Sequence, residues 1–233
     1  FSFLFLFFIF LYALSASNNV THIPINGDID MGLPYYVERG ISLAEKDSAE
    51  FIIFEIDTFG GRIDAATKIK DLILETDLLT IAFINRRAIS AGALISLSCD
   101  KIFMTSGATI GAATAVDAKG QKASEKVISY MREEMASTAE ANGKSRKIAE
   151  AMVDENIGIN YILSIENDTL TSDLIKGFEA GKLITLSTIN AIKLGIADKT
   201  IDSIESIIKS EGLDDYNLIS ISETWTERLV RFL

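Results

Sequence analysis

Apolar and polar positions alternate along this chain so as to divide it into short β-type runs separated by helix-type stretches. Phe51–Ile56 (FIIFEI) is a nearly unbroken apolar run of strand length, rich in β-branched residues, and predicts a strand buried on both faces. Thr80–Ile84 and Lys101–Met104 predict further strands, and Val20–Ile25 a short one. Between them, Tyr35–Asp47 places Val37, Ile41 and Ala44 on one helical face. Asp64 predicts the cap of a helix running to about Glu75. Ser90–Ser98 reads as a helix of small residues, and a long helix extends from about Ser124 to Asn142. Ser145–Val153 and Thr188–Leu194 complete the helices, the second closing at Gly195. Gly27–Pro34, Thr58–Arg62, Arg86–Ile89 and Ser106–Gly120 read as loops, and Gly158–Thr185 as a mixture of short elements. The tail Thr224–Leu233 is amphipathic and stops without a cap. Strands alternating with helices predict a layered α/β fold with a largely parallel sheet.

The first fourteen residues, Phe1–Leu14, stand outside this pattern: they are continuously apolar and uncharged. They fall short of the roughly 20 residues a transmembrane helix needs, and the small residues of Ala13–Ser17 follow as a signal-peptidase site requires. Residues 1–17 are therefore expected to be a signal peptide or signal anchor, cut from a longer N-terminus that carried the methionine and basic residues. Residues 18–233 are expected to form the functional domain. A formal net charge of −11 argues against nucleic-acid binding, which needs clustered Lys and Arg. The single cysteine, Cys99, excludes an internal disulfide framework and a cysteine zinc cluster, and its apolar neighbours predict a buried small hydrophobe. Neither a metal site nor a cofactor is expected.

Three segments carry candidate chemistry. Asp57-Thr58-Phe59-Gly60-Gly61 follows a buried strand, and its two glycines would let backbone N–H groups approach a ligand. Alone, such a pair is more often an ordinary turn. Ala88-Ile89-Ser90-Ala91-Gly92-Ala93 puts a serine before a helix of small residues. Alone, Ser90 reads as an N-cap, but the Ala91 N–H at the helix start, paired with that of Gly61, would form a two-donor hole for an oxyanion. A serine nucleophile needs a base. The single histidine, His22, lies next to Pro24 and reads as a lone surface residue, so a Ser-His-Asp triad is hard to assemble. Lys126 falls in the first turn of the long helix, where the dipole favours a neutral amine, and borders Val127, Tyr130, Met131 and Met135. By itself it reads more readily as a solvated lysine at a helix start.

Taken together these residues resemble the NfeD-type membrane-bound serine proteases of the ClpP class. Phe54–Gly61 is similar to that family's D-T-P-G-G segment, Ser90-Ala91-Gly92 to its S-A-G nucleophile motif, and Ile110-Gly111-Ala112 to the I-G-A that follows. Lys126, seventeen residues before Gly143, falls where the family's catalytic lysine would be, and Trp225–Leu229 looks like the segment preceding its membrane region. The resemblance covers residues 20–233 and implies a ClpP/crotonase-like fold with a Ser90–Lys126 dyad. It also implies an oxyanion hole from the amides of Gly60, Gly61 and Ala91. Phe59 departs from the pattern, standing where the family has proline. The membrane spans and C-terminal β-barrel of longer members have no counterpart in this sequence.

The implied substrates are hydrophobic, membrane-associated proteins, including stomatin-like partners. The implied setting is a homo-oligomer, dimer or higher, at a membrane with the protease domain outside the cytoplasm. Two other readings stay open on the same fold. A crotonase-type acyl-CoA enzyme also uses paired amides, though with a carboxylate base. A non-catalytic scaffold would organise membrane partners without cleaving them.

Overall fold

The computed structural model describes residues 18–116, 120–158, 164–166, 169–171 and 180–232. The expected leader over residues 1–17, and much of the expected mixture between Gly158 and Thr185, lie outside the described residues. In chain order the elements are β1 (Asn19–Ile29), α1 (Leu33–Lys46), β2 (Phe51–Gly61), α2 (Ile63–Glu75), β3 (Leu79–Ile89) and α3 (Ala91–Leu97). These are followed by β4 (Lys101–Met104), β5 (Thr109–Gly111), α4 (Glu125–Ala141), α5 (Arg146–Val153), β6 (Ser164–Glu166) and β7 (Thr169–Thr171). The chain ends with β8 (Thr185–Ser187), α6 (Thr188–Lys193), β9 (Lys199–Thr200), α7 (Ile204–Ser210), β10 (Asn217–Ser220) and α8 (Trp225–Phe232).

The main sheet runs β10-β1-β2-β3-β4-β9, all parallel, with β5 added to the far end of β3 and β8 antiparallel to β5. One face buries Ile23, Ile25, Ile52, Phe54, Ile56, Ala82 and Ile84 in the cluster that α1, α2, α3 and α4 cover. The opposite face buries Val20, Phe51, Ile53, Ile81, Phe83 and Phe103 against Ile207 and Ile208 of α7. Because both faces are covered, every second residue is apolar on each side and the strands read as continuous apolar runs. The fold is the layered, largely parallel α/β arrangement expected.

The strands run further than their apolar cores. β1 continues to Ile29 through an irregularity between Asn26 and Asp28, so the expected Gly27–Pro34 loop begins as strand. β3 continues through Arg86–Ile89, also expected as a loop, because Arg87, Ala88 and Ile89 pair with Thr109, Ile110 and Gly111. That pairing also converts part of the expected Ser106–Gly120 loop into β5. Two consecutive arginines conceal the strand: Arg87 stacks on the Phe59 ring at 4.3 Å, and both arginines approach Asp57 at 3.4–3.5 Å. Arg62, not Asp64, occupies the N-cap of α2, while Asp64 sits in the first turn and accepts from the Ala65 N–H at 3.0 Å.

Candidate active site

The extended β2 and β3 bring the glycine pair beside Ser90. A single residue, Ser90, joins β3 to α3, and it does so in a left-handed conformation (φ 56°, ψ −117°) with no side-chain capping bond. For a residue with a Cβ this costs about 1–3 kcal/mol, and such strain concentrates at functional sites. An ordinary N-cap has extended backbone and bonds its own helix. Ser90 does neither.

Its neighbours enforce the pose. The Ser90 N–H donates to the Gly111 carbonyl at 3.0 Å, and its carbonyl accepts from Ala93 at 2.9 Å. Gly60 lies against it: a Cβ there would stand 2.6 Å from the Ser90 Cβ and 3.1 Å from its Oγ. Gly92 lets α3 close onto β2, since a Cβ would meet the Thr58 methyl at 2.5 Å. Gly111 is pressed on Ile184 so tightly that a Cβ would meet its carbonyl oxygen at 2.5 Å. These glycines are thus required by close approach, and Gly60 and Gly111 also by positive φ (113° and 131°).

Gly60 donates its N–H to Thr58 Oγ1 at 2.9 Å, so that amide is engaged. Arg62 donates its N–H to the Ile29 carbonyl on the β1 side at 2.7 Å. The backbone leaves the extended region at this pair (Gly60 φ 113°, Gly61 φ 156°), while the pairing of β2 with β3 ends at Thr58 and Ala88. At the start of α3 the Ala91 N–H has no intrahelical partner, as in any helix. Gly60 thus supplies clearance beside Ser90, and the Ala91 N–H is open at the start of α3.

Lys126 lies in the first turn of α4, behind the N-cap Ser124, as its position in sequence predicts. The apolar residues that border it do not cover it. Met131 and Met135 turn into the core, Tyr130 is about half exposed, and the Lys126 side chain is exposed without a hydrogen bond to Ser90. An open cleft of about 1020 Å³ runs between these elements, with Ile29, Gly61, Ile63, Val116, Val127 and Tyr130 in its walls. Among the described residues no cluster of His, Cys, Asp or Glu is placed to hold a metal ion, and no helix is long and apolar enough to cross a membrane.

Comparison with known proteins shows the family and the fold. The family described as NfeD1b, N-terminal domain, matches residues 19–221. The chain belongs to that family. Membrane protein NfeD1b of Bacillus subtilis is 31% identical over 223 residues, which are 96% of this chain and 48% of that protein. A membrane-bound protease of Pyrococcus horikoshii is 31% identical over 160 residues, 65% of this chain and 36% of its own length. The chain thus spans about half of the first relative and about a third of the second. Among solved structures, a lysine-to-alanine variant of a membrane-bound stomatin-specific protease, in complex with a substrate peptide, superposes with a TM-score of 0.73 at 23% identity, covering 93% of this chain and 98% of that one. ClpP1 from Listeria monocytogenes superposes with a TM-score of 0.57 at 22% identity, covering 79% and 92%. The fold of this NfeD1b domain is ClpP-like.

One residue of the NfeD1b domain behaves unlike its sequence reading. His22 is not a surface histidine. Only 8% exposed, it bonds Ser220 Oγ through Nδ1 and Glu55 Oε2 through Nε2, both at 2.9 Å. Asn85 donates to the other Glu55 oxygen at 2.7 Å. The hydrogen bond from His22 holds the Glu55 carboxyl below the usual range against the opposing effect of burial. This network lies on the sheet face opposite the Ser90 helix layer, so it staples β10, β1, β2 and β3 and takes no part in the site. Cys99 is fully buried as expected, and burial pushes its thiol pKa upward.

The residue that sequence reasoning passed over is Thr58. Almost fully buried, its hydroxyl donates to the Gly27 carbonyl at 2.5 Å and accepts from the Gly60 N–H at 2.9 Å. It therefore ties the bulged end of β1 to the glycine pair. Thr58→Val, nearly isosteric, would leave both backbone groups unsatisfied, and we expect a loss of about 1–3 kcal/mol in chemical denaturation. Thr58→Ser keeps the hydroxyl and is expected to retain most of that stability. Equal stability of the valine and serine variants would contradict the role.

Proposed function

We propose that this domain is a serine endopeptidase in which Ser90 is the nucleophile and Lys126 the base. The observation that carries the reading is the strained Ser90, held at the start of α3 with Gly60 packed against its side chain. In this reading the Ser90 hydroxyl attacks the peptide carbonyl while a neutral Lys126 amine takes its proton. The Gly61 and Ala91 N–H groups hold the oxyanion, Gly60 keeps the space clear, and the lysine returns the proton to the leaving amine. Water then hydrolyses the acyl-enzyme by the same route. The exposed Lys126 must come within hydrogen-bond reach of Ser90, about 2.6–3.2 Å, when a substrate fills the cleft and displaces water.

The cleft sets Ile29, Ile63, Val116 and Val127 beside the charged Asp28, Asp30, Arg62, Asp64 and Lys68, so peptides that combine apolar and charged residues are the first to assay. A similar solved protein is described as a protease specific for a stomatin homolog, so a stomatin-like membrane protein is the substrate class to test first. The membrane-protein descriptions of the relatives support a domain that works at a membrane; a place outside the cytoplasm and a homo-oligomeric state are part of the same proposal.

The test is to treat the folded protein with a fluorophosphonate, map the labelled residue, and assay cleavage of such peptides. Labelling at Ser90 together with cleavage is expected. The exposure of Lys126 favours a second reading, a scaffold without catalysis. No labelling and no cleavage, with binding of a stomatin-like protein intact, would establish that reading instead.

A further inference from the structure

The last helix reaches back to the strand that supports the glycine pair. β10 accompanies β1 only from Asn19 to His22, and the Ile221 N–H bonds the His22 carbonyl. Beyond that point, among the described residues, no strand pairs with the outer edge of β1. Arg231 of α8 takes that place. Its guanidinium donates to the Asp28 carbonyl at 2.8 Å and to the Asn26 carbonyl at 3.5 Å, and pairs with Asp30 at 2.7 Å and with Glu223. From the inner edge, Thr58 holds the Gly27 carbonyl at 2.5 Å and the Arg62 N–H holds that of Ile29 at 2.7 Å. Four successive carbonyls, of residues 26 to 29, are thus gripped alternately from the two sides.

That segment is the wall on which the glycine pair is built. Asp28 is in register with Gly60 and Ile29 with Gly61, and a Cβ on Gly61 would lie 2.2 Å from the Ile29 carbonyl oxygen. Asp30 in turn caps the start of α1, accepting from Gly32 at 2.8 Å and Leu33 at 3.2 Å. Arg231 packs so closely on this turn that a Cβ on Gly32 would meet its Cγ at 2.8 Å.

We propose that Arg231 is a positioning residue for the active site: by holding the outer edge of Asn26–Asp30 it fixes β1 against Gly61 and so aims the Gly61 N–H. The inference rests on the Ser90 hydrolase reading for its catalytic consequence, but its structural part stands independently. A guanidinium suits the task because its planar fork can serve two carbonyls and a carboxylate together. Misplacing a catalytic group by about 1 Å can cost on the order of 100-fold in rate.

The experiment compares Arg231→Ala, Arg231→Lys and Arg39→Ala in the whole chain. Arg39 pairs with Glu227 at 2.7 Å and so anchors the same helix to α1, but it does not touch residues 26–30. Arg231→Ala is expected to lower turnover about 10- to 100-fold with KM changed less than about twofold, as loss of an aimed oxyanion donor would. Fluorophosphonate labelling should slow in parallel. Arg231→Lys should fall between, keeping the Asp30 pair but not both carbonyl bonds, and it carries the comparison if the alanine variant does not fold. Arg39→Ala should stay within about twofold of the parent.

Amide exchange over residues 26–32 and 60–62 is read in the same proteins and should rise with Arg231→Ala alone. Unchanged turnover and exchange in Arg231→Ala, or an equal loss in Arg39→Ala, overturns the proposal. If the parent protein proves inactive the hydrolase reading fails, and the exchange data alone decide whether Arg231 holds this edge.

Discussion

Ser90→Ala is expected to reduce peptide cleavage by about 10⁴-fold or more, the scale on which removing an activated serine acts in other hydrolases, and to abolish fluorophosphonate labelling. The core should not notice the change, because the Ser90 side chain forms no cap and its backbone is held by Gly111 and Ala93 through groups that alanine retains. Lys126→Ala is expected to lower cleavage by about 10²–10⁴-fold, the usual worth of a positioned base. Lys126→Arg should not restore it, since a guanidinium stays protonated. Stability separates catalysis from folding still further. Ser90→Gly relieves the left-handed strain and is expected to raise stability by about 1 kcal/mol while remaining inactive. Calorimetry beside the cleavage assay measures both. A Ser90→Gly protein that melts no higher than the parent would show that the conformation stores no strain, and appreciable cleavage by Ser90→Ala would remove Ser90 from the chemistry.

Much of this site was legible because its parts are local. Gly60-Gly61 follows the FIIFEI run after only three residues, and Ser90 precedes a short helix with Ala91, Gly92 and Ala93 in its first turn. What local sequence could not show is which distant chain segment meets which. His22 read as a surface residue because its partners, Glu55 and Ser220, lie 33 and 198 positions away and meet it only through strand register. Arg86-Arg87 read as a loop because nothing nearby indicates that Asp57 and the Phe59 ring lie across the neighbouring strand. Lys126 was placed correctly in its helix, but its surroundings were inferred from helical neighbours alone, and the side chain points to solvent.

Phe59, the departure from the family's proline, finds its explanation in the same contacts. It is 71% exposed and lies under the Arg87 guanidinium, which Asp57 also holds. Proline would stiffen the strand exit covalently by fixing φ. Here the exit is braced by a cation–π contact on one face of the sheet and by the Thr58 hydroxyl on the other. The pose of the glycine pair is therefore set by side chains, and by the tightness with which the glycines themselves are packed.

That tightness sets the last expectation. Alanine at either glycine should be among the most damaging single-methyl changes in the domain, but in different ways. At Gly61 the new Cβ would stand 2.2 Å from the Ile29 carbonyl oxygen and 2.6 Å from its nitrogen, both backbone atoms, so β1 must part from β2. Overpacking of this kind costs about 1–3 kcal/mol, and more where backbone must move. In a domain of this size each kcal/mol lowers the melting temperature by roughly 2–4 °C, so a fall on the order of 10 °C is expected.

At Gly60 the methyl meets Ser90 itself, and φ of 113° adds strain that an L-residue rarely tolerates. Gly60→Ala should therefore lose turnover out of proportion to stability, by about 100-fold or more if Ser90 is displaced by an ångström. Gly61→Ala should lose both together. Thermal melts read beside the fluorophosphonate labelling rate distinguish the two. Full labelling of Ser90 in the Gly60→Ala protein would mean that the glycine pair does not position the nucleophile, and the active-site geometry would have to be redrawn around Ser90 without it.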